Sequence, residues 1–155
     1  MERTLVIIKP DALQRNLIGE IISRFERKGL KIIGMKMMSV DNVKLDEHYG
    51  KYSDKPFFVH LKKFMQSSPV VAMVWEGVEA VSAVRLIAGS TKGREADAGT
   101  IRGDLSMSLQ TNVIHVSDPK EDPEAEIKRF FGDDELFDYE KIDMFYLYSP
   151  DELES

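Results

Sequence analysis

At 155 residues with no cysteine, the chain has the length of one domain and lacks both a disulfide framework and a thiolate zinc site. A net charge of −6 argues against broad nucleic-acid binding, which needs a basic surface, but leaves room for a phosphate ligand held by a few local cations. No apolar run approaches the roughly 20 residues of a membrane span. The start, MERTLVIIKPD, has no signal-peptide pattern, so no membrane partner and a cytoplasmic location are expected.

Thr4 to Ile8 is a short apolar run stopped by Lys9-Pro10 and predicts a strand. Ile18, Ile21, Ile22 and Phe25 follow helical spacing opposite Glu20, Arg24, Arg27 and Lys28, and Gly29 closes that helix. Lys31 to Val40 predicts a second, poorly alternating strand. Asp41 to Lys51 predicts a short helix capped by Asp41 or Asn42. Phe57, Phe58, Leu61, Phe64 and Met65 form one helical stripe between Pro56 and Pro69. Val70 to Trp75 is the strongest strand in the chain and suits a central position. A helix follows near Glu79 to Ala88, ended by Gly89.

Ser90 to Gln110 carries three glycines and no apolar periodicity, which predicts a long loop; loops of that length in a compact domain are mostly functional. Asn112 to Val116 predicts the last strand. The next helix ends near Phe131, with Asp122 as cap and Pro123 at its first position. From Gly132 an acidic, aromatic tail is expected to wrap the surface. The order β-α-β, helices, β-α-β predicts an α+β sandwich, one sheet with helices packed on it.

The chain has no P-loop, no G-x-G-x-x-G, no H-E-x-x-H and no G-x-S-x-G. Its chemistry is therefore sought in His115, an imidazole at a strand end, between Asn112 and Ser117. Neutral imidazole can attack phosphorus near neutral pH. Lys9, Arg85, Thr91, Arg102 and Asn112 all lie beside chain breaks and would suit a polyphosphate if the two halves meet in one cleft. Each also has a plain structural reading: Lys9 and Arg85 as solvated surface, Thr91 as a loop cap, Arg102 with Asp104 as a surface ion pair. By the same token Tyr49, Phe57 and Leu61 read as core.

Against this background, ERTLVIIKPDALQR (2–15), EHY (47–49), KPFF (55–58), PVVAMVWEG (69–77), GTIRGD (99–104) and NVIHVSD (112–118) resemble nucleoside diphosphate kinases in register along nearly the whole chain. The resemblance implies a ferredoxin-like α/β sandwich with a four-stranded antiparallel sheet, formed by a single domain over 1–155 with 149–155 as an extension. It implies Mg²⁺-dependent, ping-pong transfer of a γ-phosphate between nucleoside di- and triphosphates through a phosphohistidine on His115. Glu126 would orient the ring, helped by Ser117. Arg85, Thr91 and Arg102 would bind phosphates. Lys9 and Asn112 would meet the ribose hydroxyls, with Lys9 and Tyr49 near the transferred phosphate. Phe57, Leu61 and Leu109 would sandwich the base, giving weak base selectivity. Mg²⁺ would ride mainly on the nucleotide phosphates rather than on protein ligands, and the assembly would be a homohexamer, with a tetramer as the alternative.

Three positions depart from the family pattern. Val116 follows the histidine where the family has glycine, and a β-branched residue disfavours positive φ. Lys92-Gly93 replaces Asn-Pro, which predicts a less rigid loop. Gln110-Thr111 replaces a Gly-Arg or Gly-Lys pair. The competing reading is a regulatory member of the fold that binds without turnover. If histidine titration governs the first half-reaction, its rate should fall as pH drops through about 6.5.

Overall fold

The computed structural model describes residues 1–153. Four strands, β1 (Glu2–Ile8), β2 (Lys31–Met38), β3 (Val70–Gly77) and β4 (Ile114–Val116), form an antiparallel sheet in the order β2-β3-β1-β4. With its helical crossovers this is the ferredoxin-like sandwich. β1 and β3 occupy the centre and are buried on both faces, which explains their unbroken apolar runs.

Side-chain parity along β1 sorts the core into two layers. Val6 and Ile8 face α2 (Ile18–Lys28) and α5 (Ala80–Ala88), where Trp75 packs on Phe25 at a centroid distance of 5.4 Å. Leu5 and Ile7 face α3 (Asn42–Tyr49), α4 (Phe58–Met65) and α7 (Pro123–Phe130). His115 pairs across the sheet with Ile7 and so faces the second layer, toward α3 and α7.

The local signals act as expected at several ends. Gly29 closes α2 at φ 102°, Asp41 accepts from the Lys44 amide at 2.8 Å, and Asp122 caps α7 by accepting from the Glu124 amide at 3.0 Å. The uneven alternation in β2 is a bulge at Ile33, whose carbonyl instead accepts from the Phe137 amide at 2.8 Å. The tail continues over the same face: the Tyr139 hydroxyl donates to the Ile32 carbonyl at 2.6 Å, and Leu147 lies over Gly29. Within this tail α8 (Met144–Leu147) and α9 (Pro150–Leu153) are single turns. Glu154 and Ser155, the end of the expected extension, fall outside the described residues.

Besides the two single turns of the tail, two short α-helices among the described residues were not expected. Lys9-Pro10 does not only end a strand; Pro10 opens α1 (Pro10–Gln14) at its first position, where a missing N–H costs nothing. The long loop contains α6 (Ile101–Leu105), capped by Thr100, which accepts from the Gly103 amide at 3.0 Å. Among the described residues no helix is long and apolar enough to cross a membrane.

Candidate active site

A cavity of about 350 Å³ opens beside the end of β4. Its walls include Lys9, Tyr49, Phe57, Leu61, Arg85, Thr91, Arg102, Leu109, Asn112, His115 and Glu126, which is every site residue expected from the sequence except Ser117. The cations come from separate breaks: Lys9 caps α1, Arg85 lies in the last turn of α5, and Arg102 is carried by α6.

Arg102 is buried and donates from all three guanidinium nitrogens to backbone carbonyls, to Asn112 at 3.3 Å, Gly89 at 3.0 Å and Ile114 at 2.8 Å. Three of its five N–H groups are thus used on scaffold, leaving two for a ligand. It does not pair with Asp104, which binds Arg24 at 2.8 Å. Burial, reinforced by Arg85, pushes its pKa down to about 10, which still leaves a fixed positive charge near neutral pH. Arg85 donates to the Ser117 carbonyl at 3.1 Å. Lys9 donates to Asn112 Oδ1 at 2.7 Å and to the Gln110 carbonyl at 3.3 Å; burial first, then Arg102, brings its pKa down to about 7. The Asn112 amide spends its donors on the carbonyls of Thr91 and Leu109, at 2.8 and 2.9 Å, and so ties the loop to the strand.

His115 Nε2 lies 3.1 Å from Glu126 Oε2, as an orienting carboxylate requires. Glu126 is buried, and its other oxygen, like the Tyr49 hydroxyl, has no hydrogen-bond partner among the described residues. Burial, then Lys9, Arg102, Lys51 and Arg85, hold the His115 pKa well below 6.5. The cations and burial therefore outweigh Glu126, and imidazole titration near 6.5 is not what the geometry supports. The ring stays neutral, the form that can attack, through the mildly acidic range.

Other expectations are corrected by the packing. Ser117 does not reach Glu126; its hydroxyl accepts from the Leu5 amide at 3.1 Å and donates to the Leu5 carbonyl at 3.4 Å, stitching β4 to β1. Val116 lies within β4 opposite Val6, with no positive φ, and is buried. The left-handed residue beside this strand is Val113, at φ 66°. It is clamped by its amide donating to Asp11 Oδ2 at 3.1 Å and by its carbonyl accepting from the Lys9 amide at 2.9 Å. Gly93 is not a flexible joint: it is buried, its amide donates to the Ser108 carbonyl at 2.9 Å, and a Cβ there would stand 2.4 Å from the Ser106 carbonyl oxygen.

The structure adds residues to the expected set. His48 Nε2 lies 3.0 Å from His115 Nε2, and Lys51, Tyr52, Asp118 and Glu121 line the rim. His48 was legible in principle: it stands three residues after Leu45, on the buried face of α3. Lys51 pairs with Glu121 and, at 3.7 Å, with Asp118.

The family model for nucleoside diphosphate kinases matches residues 2–136. The chain belongs to the nucleoside diphosphate kinase family. It is 54% identical over 152 residues to a nucleoside diphosphate kinase of Parabacteroides distasonis, covering 98% of this chain and 99% of that one. A nucleoside diphosphate kinase of Pyrococcus abyssi is 52% identical, with 94% of each chain covered. Among solved structures, a halophilic nucleoside diphosphate kinase from Halobacterium salinarum in complex with CDP superposes with a TM-score of 0.93 at 47% identity, covering 96% of this chain and 99% of that one.

Proposed function

We propose that this member of the nucleoside diphosphate kinase family moves the γ-phosphate of a nucleoside triphosphate to a nucleoside diphosphate in two half-reactions through His115. The observation that carries this reading is the His115 imidazole held by Glu126 at 3.1 Å in a cavity lined by Lys9, Arg85 and Arg102. With Nε2 facing Glu126 and His48, Nδ1 is the nitrogen left for attack. Its lone pair forms the N–P bond as the bond from Pγ to the bridging oxygen breaks, and the diphosphate leaves with that oxygen. The ring then carries positive charge, which the Glu126 carboxylate balances. In the second half-reaction a terminal oxygen of the incoming diphosphate attacks phosphorus, the N–P bond breaks, and Nδ1 recovers its lone pair.

Phosphoryl transfer needs positioning and charge stabilisation above all. The two remaining N–H groups of Arg102, with Arg85 and the Thr91 hydroxyl, suit phosphate oxygens. Phe57, Leu61 and Leu109 offer an apolar slot for a base, without the polar edge contacts that would select one. The His48–His115–Glu126 cluster offers two nitrogens and one oxygen, a poor set for Mg²⁺, which prefers six oxygens. Mg²⁺ would therefore enter on the nucleotide, with Asp118 on the rim to meet its hydration shell, and when bound would neutralise phosphate charge. Assembly as a homohexamer fits the apolar side chains that one protomer leaves exposed, among them Met35, Met37, Ile142, Phe145 and Tyr146; sedimentation velocity separates this from a tetramer.

The test is incubation with γ-labelled ATP and Mg²⁺, followed by a nucleoside diphosphate. Acid-labile label on the protein that chases to the diphosphate and vanishes in His115→Ala is the expected result. Nucleotide binding without label would overturn the reading and favour a regulatory role.

A further inference from the structure

His48 has no role in the reaction as set out above, yet it is the nearest neighbour of the reacting ring. It is buried, and its ring stands edge-on to His115, Tyr49 and Phe130, with centroids at 4.3, 4.6 and 5.2 Å. The two Nε2 atoms, 3.0 Å apart, have room for one proton between them.

Two arrangements satisfy that constraint. In the first, the proton is on His115 Nε2 and is shared between Glu126 Oε2 at 3.1 Å and the lone pair of His48 Nε2. The proton of His48 then sits on Nδ1, 3.9 Å from the same carboxylate oxygen. In the second, His48 Nε2–H donates to His115 Nε2, and the proton of His115 moves to Nδ1, which fills the attacking lone pair. The second arrangement leaves the buried Glu126 carboxylate without any donor among the described residues, the more costly outcome for a buried charge. What favours it is Arg129 Nη1, a donor 3.4 Å from His48 Nδ1 that prefers a lone pair there. That contact is long and partly exposed, and Arg129 is also drawn to Glu121 Oε2 at 3.6 Å. The carboxylate therefore decides, and the first arrangement prevails.

We infer that His48 is a positioning residue that, alongside Glu126, accepts a share of the His115 Nε2 proton and so steadies the ring with Nδ1 free to attack, while Arg129 works against it. The consequence for rate rests on the proposed phosphohistidine reaction; the proton placement does not.

The chain has three histidines, His48, His60 and His115, and His60 is exposed, so ¹⁵N-histidine spectra of the nucleotide-free protein can resolve each ring. The expected pattern is a protonated Nε2 on His115 and a protonated Nδ1 on His48. His48→Phe keeps the ring packing and removes the acceptor. It should move the His115 Nε2–H signal while leaving the proton on Nε2, where Glu126 still accepts it, and slow phosphohistidine formation at saturating ATP by about fivefold, the worth of one shared hydrogen bond, with KM unchanged. His48→Gln, whose side-chain oxygen can accept, should recover most of the rate. Arg129→Leu should equal or exceed the parent rate. A His115 proton on Nδ1 in the parent protein, or a Phe variant that phosphorylates at the parent rate, would overturn the inference. So would a Gln variant as slow as the Phe variant with an unchanged Tm. If the parent protein never takes up label, it is the proposed function that fails, and the spectra still decide the proton placement.

Discussion

Lowering the pH from 7 to 5 should destabilise this protein through its two buried imidazoles. Burial holds His48 neutral, aided by His115 and Arg129 and opposed by Glu126, while burial and the surrounding cations hold His115 neutral. In the unfolded chain both return to about 6.5. Below that value the unfolded state binds two protons that the native state refuses, so each protonation pulls the equilibrium toward unfolding. The slope is about 1.36 kcal/mol per proton per pH unit, or about 2.7 kcal/mol for the pair. Between pH 6.5, where each unfolded-state imidazole is half protonated, and pH 5.0 that amounts to about 3 kcal/mol, a large share of the 5–15 kcal/mol typical of a domain. Urea unfolding at fixed protomer concentration, followed by the fluorescence of the buried Trp75, measures it. His48→Phe removes one of the two sites, and its loss over the same interval should be about 2 kcal/mol. Equal slopes in the two proteins would refute the reasoning, because then His48 does not stay neutral in the native state.

The remaining predictions follow from named contacts. Because Lys9 has a pKa of about 7, a bound polyphosphate should raise it. Binding should take up close to one proton at pH 8 and weaken about tenfold per pH unit above 7, measured by calorimetry in buffers of different ionisation heat; Lys9→Met should abolish the uptake. The first half-reaction should keep its rate between pH 7 and 6 in quench-flow measurements, since His115 titrates well below 6.5. Gly93→Ala should lower stability by about 1–3 kcal/mol and Tm by several degrees, because the added carbon meets the Ser106 carbonyl. Arg102→Lys should reduce kcat/KM by at least about 100-fold while also destabilising the fold by about 2 kcal/mol, since a lysine cannot serve three carbonyls and a phosphate together.

The parts of the fold legible in the sequence were those with a repeating pattern or an unambiguous end. The stripe of α2, the run of β3, the Asp122 cap and Gly29 each read directly, because spacing and end chemistry are local properties. α1 and α6 were hidden because five residues are too few to show a period, although Pro10 at a first helical position and Thr100 as a cap are signals in hindsight. The cavity gathers the expected residues because parity along β4 turns His115 toward α7. What could not be read was the use of each polar group. Ser117 is adjacent to the site in sequence yet serves the sheet, and His48 lies 67 residues from His115 yet touches it. Those outcomes depend on strand register and helix rotation, which no local pattern encodes.

β1, the earliest of the four strands in chain order, lies between β3 and β4. Its partners end at residues 77 and 116, so TLVII has no strand to pair with until well into synthesis. At the ribosomal rate of about 5–20 residues per second, the wait for β3 is about 3–14 s. For that time a short, uncharged, β-branched segment without proline is exposed, the kind of window that associates with copies of itself. Glu2 and Arg3 before it and Lys9-Pro10 after it bracket the segment with charge and a residue that cannot extend a ladder. Lys9, buried in the cleft of the folded chain, thus also guards the nascent one, and replacing it by an apolar residue should lower the yield of soluble protein.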